Sequence, residues 1–169
     1  DEAERMFPER PCLDFMGRKY SYREVAVQAR KLSAGLRKLG VRKHVKVGLC
    51  LPNCPQFVIS YFAILKAGGT VVNFNPLYSA RELAHQIENS GTEVMITLAL
   101  NATYPKVAEQ LEHGVLKHII VSQLSEALPL AKRLAFPLLK KGEIADFPAD
   151  NKHHKYADLL LDESLAPQA

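Results

Sequence analysis

Between residues 45 and 122 short apolar runs and amphipathic stretches replace one another at a regular interval, and this alternation restricts the fold more than any other feature. Val45, Val47, Leu49 and Leu51 alternate as a strand, and Thr70 to Phe74, Glu93 to Leu98 and His118 to Val121 follow at steps of roughly 23–25 residues. A helix between two such strands returns the chain to the sheet in the same direction, so the strands lie parallel and both sheet faces must be covered. The expectation is an α/β fold, a parallel βαβ sheet of four strands with helices on both faces.

Local signals mark the ends of these elements. Residues 12 to 22 read as an amino-terminal β-hairpin turning at Gly17-Arg18, and Ser21 with Glu24 has the spacing of a capping box that opens a helix. That helix presents Val25, Ala29, Leu32, Leu36 and Leu39 as one stripe and stops at Gly40. Pro52 and Pro55 close the next strand and open a helix in which Phe57, Val58, Tyr61, Phe62, Ile64 and Leu65 are apolar around most of the circumference, which predicts deep burial. Gly68-Gly69 ends it, and the nearby phosphate-loop reading fails on order, because these glycines follow a helix and precede a strand. Ser79 with Glu82 opens a third helix and Tyr104 to His113 a fourth. Beyond residue 123 the pattern changes to a proline-broken helical segment through Leu139, then a polar, irregular stretch over residues 142 to 155 with the adjacent His153-His154 in a solvated loop.

Composition bounds the functional classes. With 47% hydrophobic and 24% charged residues the chain has the balance of a soluble globular domain, and no apolar run is long enough to span a membrane. A net charge of +4 is too small for a nucleic-acid-binding surface, so no nucleic acid partner is expected. Three cysteines suit a reducing compartment, and a cytoplasmic location is expected, with peripheral contact at the inner membrane face left open by the basic and apolar stretch from Ala127 to Lys141. In that stretch Lys132, Arg133, Lys140 and Lys141 are the candidate membrane-interface residues; partner docking and plain surface cover are the other readings. The first residue is Asp and the last five are Leu-Ala-Pro-Gln-Ala, so the sequence reads as a piece of something longer.

Ligands of parallel sheets bind outside the carboxyl ends of the strands, which directs attention to residues 51–54, 73–79, 97–101 and 122–123. Among these, Asn73-Phe74-Asn75-Pro76-Leu77-Tyr78 sets two amides, an aromatic ring and a rigid turn before a capped helix, and both turn chemistry and a substrate-facing role explain it. Asn75, Pro76 and Tyr78 are the substrate-proximal candidates. Cys50 and Cys54 are separated by Pro52 and a strand end, a poor geometry for shared metal ligation, and the six histidines lack a His-Glu-x-x-His pattern, so no metal, catalytic or cofactor-binding residue is assigned.

Taken together, Ser21-Tyr22-Arg23-Glu24, Val45 to Leu51 with Pro52-Asn53-Cys54-Pro55, Ala67-Gly68-Gly69, and Asn73 to Tyr78 with Arg81-Glu82-Leu83 closely resemble the amino-terminal region of AMP-forming acyl-CoA synthetases. The likeness covers residues 7 to 122. Tyr104-Pro105-Lys106-Val107 and the basic stretch are most similar to bacterial long-chain fatty acid:CoA ligases. Where the family has Gly-Asp before Val45, this sequence has Lys43-His44.

The resemblance implies an amino-terminal α/β subdomain over residues 1–122 and, over 123–169, a segment leading to the remainder of the same polypeptide. It implies that the intact enzyme activates a fatty acid with ATP and magnesium to an acyl-adenylate and transfers the acyl group to coenzyme A. The phosphate loop, adenine pocket and mobile domain would lie past Ala169, so this portion is expected to be inactive alone and to hold none of these cofactors tightly. The expected partners are the rest of its polypeptide and the fatty acid substrate, with a homodimer left open. The rivals are a free-standing doubly wound binding module and a membrane-interface interaction domain.

Overall fold

The computed structural model describes residues 2–161. A short helix α1 (Glu2–Met6) precedes the hairpin strands β1 (Pro11–Phe15) and β2 (Arg18–Ser21) and the long helix α2 (Tyr22–Lys38). There follow β3 (Lys46–Cys50), α3 (Pro55–Lys66), β4 (Thr70–Asn73), α4 (Ala80–Ser90), β5 (Val94–Leu98), α5 (Tyr104–Ala108), β6 (His118–Ser122), α6 (Leu130–Leu139) and β7 (His153–Lys155), with 3-10 turns at Glu109–His113, Leu124–Ala127, Lys141–Glu143 and Ala157–Leu159. Strands β3 to β7 form a five-stranded sheet in the order β4-β3-β5-β6-β7, every neighbouring pair parallel.

Alternation along the strands builds two cores. Val47, Leu49, Ile96 and Ile120 face α2 and α3 together with Leu32, Leu36 and Ile64. On the other side Cys50, Met95, Ile119 and Val121 meet Leu83, Ile87, Tyr104 and Val107 from α4 and α5. A sheet with both faces covered by helices is thus the observed architecture, as the parallel reading requires.

The helix starts follow from local chemistry. At α2 the Ser21 hydroxyl accepts from the Glu24 amide and the Glu24 carboxylate accepts from the Ser21 amide, and Ser79 and Glu82 repeat the arrangement at α4. Each pair satisfies backbone donors that the first helical turn would leave free. At the end of α3 the Gly68 amide donates to the Leu65 carbonyl and the Gly69 amide to the Ile64 carbonyl, with Gly68 at φ 83°.

Five local expectations change. The hairpin turns at Met16-Gly17, not Gly17-Arg18: Phe15 pairs with Arg18, and both turn residues have positive φ, 54° and 93°. That geometry matches the strand twist, and it frees Arg18 to join β2 and lie 4.3 Å over the Tyr20 ring. Helix α3 is not buried all round, because a helix laid on a sheet covers one side only; Tyr61, Phe62 and Leu65 point outward, Phe62 and Leu65 with about half their surface exposed. The Tyr104 to His113 helix is α-helical for five residues and then tightens to 3-10. Pro137 lies inside α6, so the segment after residue 123 contains a ten-residue helix. The stretch 142–155 is not irregular to its end, since His153–Lys155 pairs with Ile119 to Val121 as a fifth parallel strand. Its polar residues hide it from a hydrophobic pattern, but the open edge of β6 supplies partners for its backbone. Residues 162–169 of the expected tail lie outside the described residues.

Candidate functional site

The chain order reverses between β3 and β5, so the crevice favoured for ligands in such sheets lies at their carboxyl ends. On the β5 side the protein's own backbone packs against the strand end. Leu100 bridges Ile144, the Asn101 amide donates to the Glu143 carbonyl at 2.9 Å, and the Ala145 amide donates to the Ala99 carbonyl at 3.1 Å.

The Asn73 to Tyr78 loop leaves the carboxyl end of β4. Asn75 Oδ1 accepts from the Leu77 amide at 3.0 Å, the local bond that tightens a turn. Lys106 of α5 donates to the Tyr78 carbonyl at 2.7 Å and the Pro76 carbonyl at 3.2 Å, and Gln86 donates to the Asn73 carbonyl at 3.0 Å. Phe74 is buried as the anchor, Pro76 and Tyr78 are half-buried, and Asn75 is exposed beside Leu77. The loop is therefore held rigidly from below and offers an outer surface. Lys106 is the residue that sequence reasoning did not single out for this role; its charge on a helix signals nothing about the carbonyls it will meet.

A separate cavity of about 220 Å³ opens beneath the hairpin, outside the carboxyl ends of β3, β6 and β7. Gln56 and Ile59 come from the start of α3, Glu126 from the turn after β6, and Tyr156 from the residue after β7. Arg18 and Tyr20 of β2 form one side and Arg133 of α6 another. The hairpin is clasped to the turn below it: Tyr20 Oη donates to the Ala127 carbonyl at 2.9 Å and Arg18 Nη1 to the Glu126 carbonyl at 2.8 Å. Gln56 Nε2 donates to the Gln123 carbonyl at 3.2 Å, while its buried Oε1 has no partner. Burial pushes the Glu126 carboxyl above its ordinary pKa, against smaller opposing effects of the Ser122 hydroxyl and the Arg133 charge. Burial likewise drives Tyr156 far up, so its phenol stays protonated.

The structure distributes the remaining candidates. Of the basic residues on and after α6, Arg133 lines the cavity, Lys132 donates to the Met16 carbonyl at 2.8 Å, Lys140 pairs with Glu143, and Lys141 is exposed. Asn75, Pro76 and Tyr78 do not reach the cavity. Cys50 and Cys54 belong to the cores on opposite faces of the sheet, which separates them as ligands, and burial raises the Cys50 thiol to about 11. His153 Nδ1 contacts both Asp150 oxygens at 2.9 and 3.0 Å, and this bond is the main reason the Asp150 carboxyl falls to about 2. His154 Nε2 lies 3.1 Å from His118 Nδ1, and burial, then the His118 charge, lowers its pKa.

A nucleotide and its metal need free backbone donors for phosphate and converging acidic or imidazole groups. The Gly68 and Gly69 amides are consumed by the α3 carbonyls and are not available to cradle a phosphate. Among the described residues no three His, Cys, Asp or Glu side chains converge to hold a metal ion. Neither those glycine amides nor a cluster of three such side chains thus offers a nucleotide or metal site among the described residues.

Comparison with known proteins gives one consistent result. The family model described as AMP-binding enzyme matches residues 1–156. The long-chain-fatty-acid--CoA ligase of Bacillus subtilis is 35% identical over 164 residues, covering 96% of this chain and 29% of its own length. That of Salmonella typhimurium is 34% identical over 134 residues, 78% of this chain and 23% of its own. The chain thus spans less than a third of the relatives it matches. Among solved structures, coronafacic acid ligase from Pectobacterium brasiliense superposes with a TM-score of 0.73 at 16% identity, over 94% of this chain and 28% of that one. An anthranilate CoA ligase in complex with anthranoyl-AMP gives 0.66 at 22% identity, over 90% and 28%. These two likenesses carry the fold.

Proposed function

The chain belongs to the AMP-binding enzyme family, and from that premise we propose that it is the amino-terminal portion of a long-chain fatty acid:CoA ligase. The observation that carries this reading is the 35% identity to the Bacillus subtilis ligase across nearly the whole chain. In the proposed reaction a fatty acid is activated with ATP and magnesium to an acyl-adenylate and passed to coenzyme A. In this reading the portion supplies a scaffold, a parallel sheet with the loop after β4 tied down by Lys106 and the end of β5 tied to residues 142–145, and Asn75, Pro76 and Tyr78 are assigned to the substrate side. The nucleotide and metal chemistry is assigned to the remainder of the polypeptide. Pyrophosphate release with oleate, ATP, magnesium and coenzyme A is expected from the whole gene product and not from residues 1–169; turnover by this chain alone would refute the division of labour.

A second reading, contact with a membrane surface, rests on α6. Leu130 and Leu134 lie one turn apart with 72% and 67% of their surfaces exposed, beside Lys132 and Arg133. Apolar side chains flanked by cations suit the interface of an anionic bilayer. No helix among the described residues is long and apolar enough to cross one. Co-sedimentation with vesicles containing phosphatidylserine, lost on Leu130→Ser with Leu134→Ser, is the expected result; equal sedimentation of the variant would dismiss α6 as the contact.

A further inference from the structure

Helix α3 has a second apolar face that the sheet does not use. Ile59, Ala63 and Ile64 pack inward, while Val58, Tyr61, Phe62 and Leu65, spaced three and four apart, line the opposite side. Phe62 and Leu65 keep 48% and 50% of their surfaces exposed, and the Tyr61 and Phe62 rings meet edge to face with centres 5.7 Å apart. From Pro55 to Leu65 the helix carries no charged residue, whereas the solvent side of a helix is normally polar. At its start the face runs into a groove of about 320 Å³ between α3 and the hairpin, lined by Leu13, Phe15, Phe57 and Val58. Apolar surface shared by two elements in this way marks a contact, unlike apolar residues scattered singly.

We propose that this face is a docking surface for the part of the same polypeptide that follows residue 169. The inference rests on the reading of the chain as the amino-terminal portion of a longer ligase, and it names the surface through which that portion joins the rest. Two observations select this occupant. The matched region is only 29% of the Bacillus subtilis relative, so in a protein of that length most of the polypeptide has still to be packed. The face also has the composition of a permanent interface, apolar and free of charge at its centre. A tethered partner covers such a face whatever the protein concentration, because its effective concentration is set by the connection. An anionic bilayer fits α3 less well than α6, since no Lys or Arg interrupts the stripe between Pro55 and Leu65 and Asp14 lines the groove.

Hydroxyl-radical footprinting read by mass spectrometry tests this on unaltered protein, with the oxidation of each side chain normalised to the urea-unfolded state. In the 169-residue chain Tyr61, Phe62 and Leu65 are expected to oxidise several-fold faster than the buried Ile59 and Ile64. In the whole gene product all three should fall to the rate of that pair at every protein concentration. Continued rapid oxidation there overturns the proposal. So does protection that appears only at high concentration, which would mean a second copy, or only with phosphatidylserine vesicles, which would mean a membrane. Phe62→Asp with Leu65→Asp gives a second readout: the urea midpoint of the 169-residue chain is expected to hold while that of the whole gene product falls, and equal shifts in both count against docking. Pyrophosphate release by the whole gene product with an exposed face sinks the docking alone, whereas a covered face without release sinks the ligase reading alone.

Discussion

At the scale of single residues the tightest constraint is Gly35 in α2. A Cβ added there would stand 2.2 Å from the Leu159 carbonyl oxygen and 2.8 Å from its Cβ, so the Ala157–Leu159 turn must move to admit it. At Gly48 the obstructing atoms are the Met95 thioether and the Phe74 ring edge, and a methionine can swing aside. Gly35→Ala is therefore expected to destabilise by about 1–3 kcal/mol and by more than Gly48→Ala, measured by urea unfolding; a loss under about 0.5 kcal/mol would show that the turn yields freely. His154 gives a pH prediction. Burial and His118 depress its folded-state pKa, so the fold takes up a proton less readily than the unfolded chain does. The corresponding stability is complete above 6.5, the ordinary value, and is lost as the pH falls from there through the folded-state pKa. Proton NMR titration should find His154 half-protonated below 6.5, and a midpoint above that would reverse the sign.

Elements are set by their ends as much as by their faces. The hairpin holds Met16 at φ 54°, a left-handed conformation that costs a residue with a Cβ roughly 1–2 kcal/mol and suits asparagine far better. Met16→Asn, which creates an Asn-Gly turn at an exposed site, is expected to raise stability by about 1 kcal/mol in urea unfolding. Destabilisation would imply that the Met16 side chain makes contacts of its own. Capping boxes at Ser21 and Ser79, and the glycine stop after α3, were all visible in sequence because each is closed by bonds between residues three to five apart. The short strand β7 was not visible. Three polar residues carry no periodicity, and what makes them a strand is the free edge of β6.

In the molecule as a whole, the hairpin and the segment after β6 hold each other. Tyr20 Oη reaches the Ala127 carbonyl across 107 residues of sequence, in a buried setting where the lost bond leaves an unsatisfied acceptor. Tyr20→Phe is expected to cost about 1–3 kcal/mol in urea unfolding. An unchanged midpoint would indicate that apolar contact and the Arg18 and Lys132 bonds retain the hairpin without it. The same clasp forms a wall of the cavity beneath it.

The parallel α/β architecture and the boundaries of α2, α3 and α4 were determined by sequence alone. Their causes act over a few residues: an apolar period, a capping hydroxyl, a glycine after the last turn. Only the tertiary structure decided that Lys106 would fasten the Asn75 to Tyr78 loop, that residues 142–145 would pair with the chain leaving β5, and that Arg133 would share a cavity with Glu126. Those arrangements depend on groups far apart in the chain, whose attraction acts only after the sheet has closed and brought them within a few ångströms.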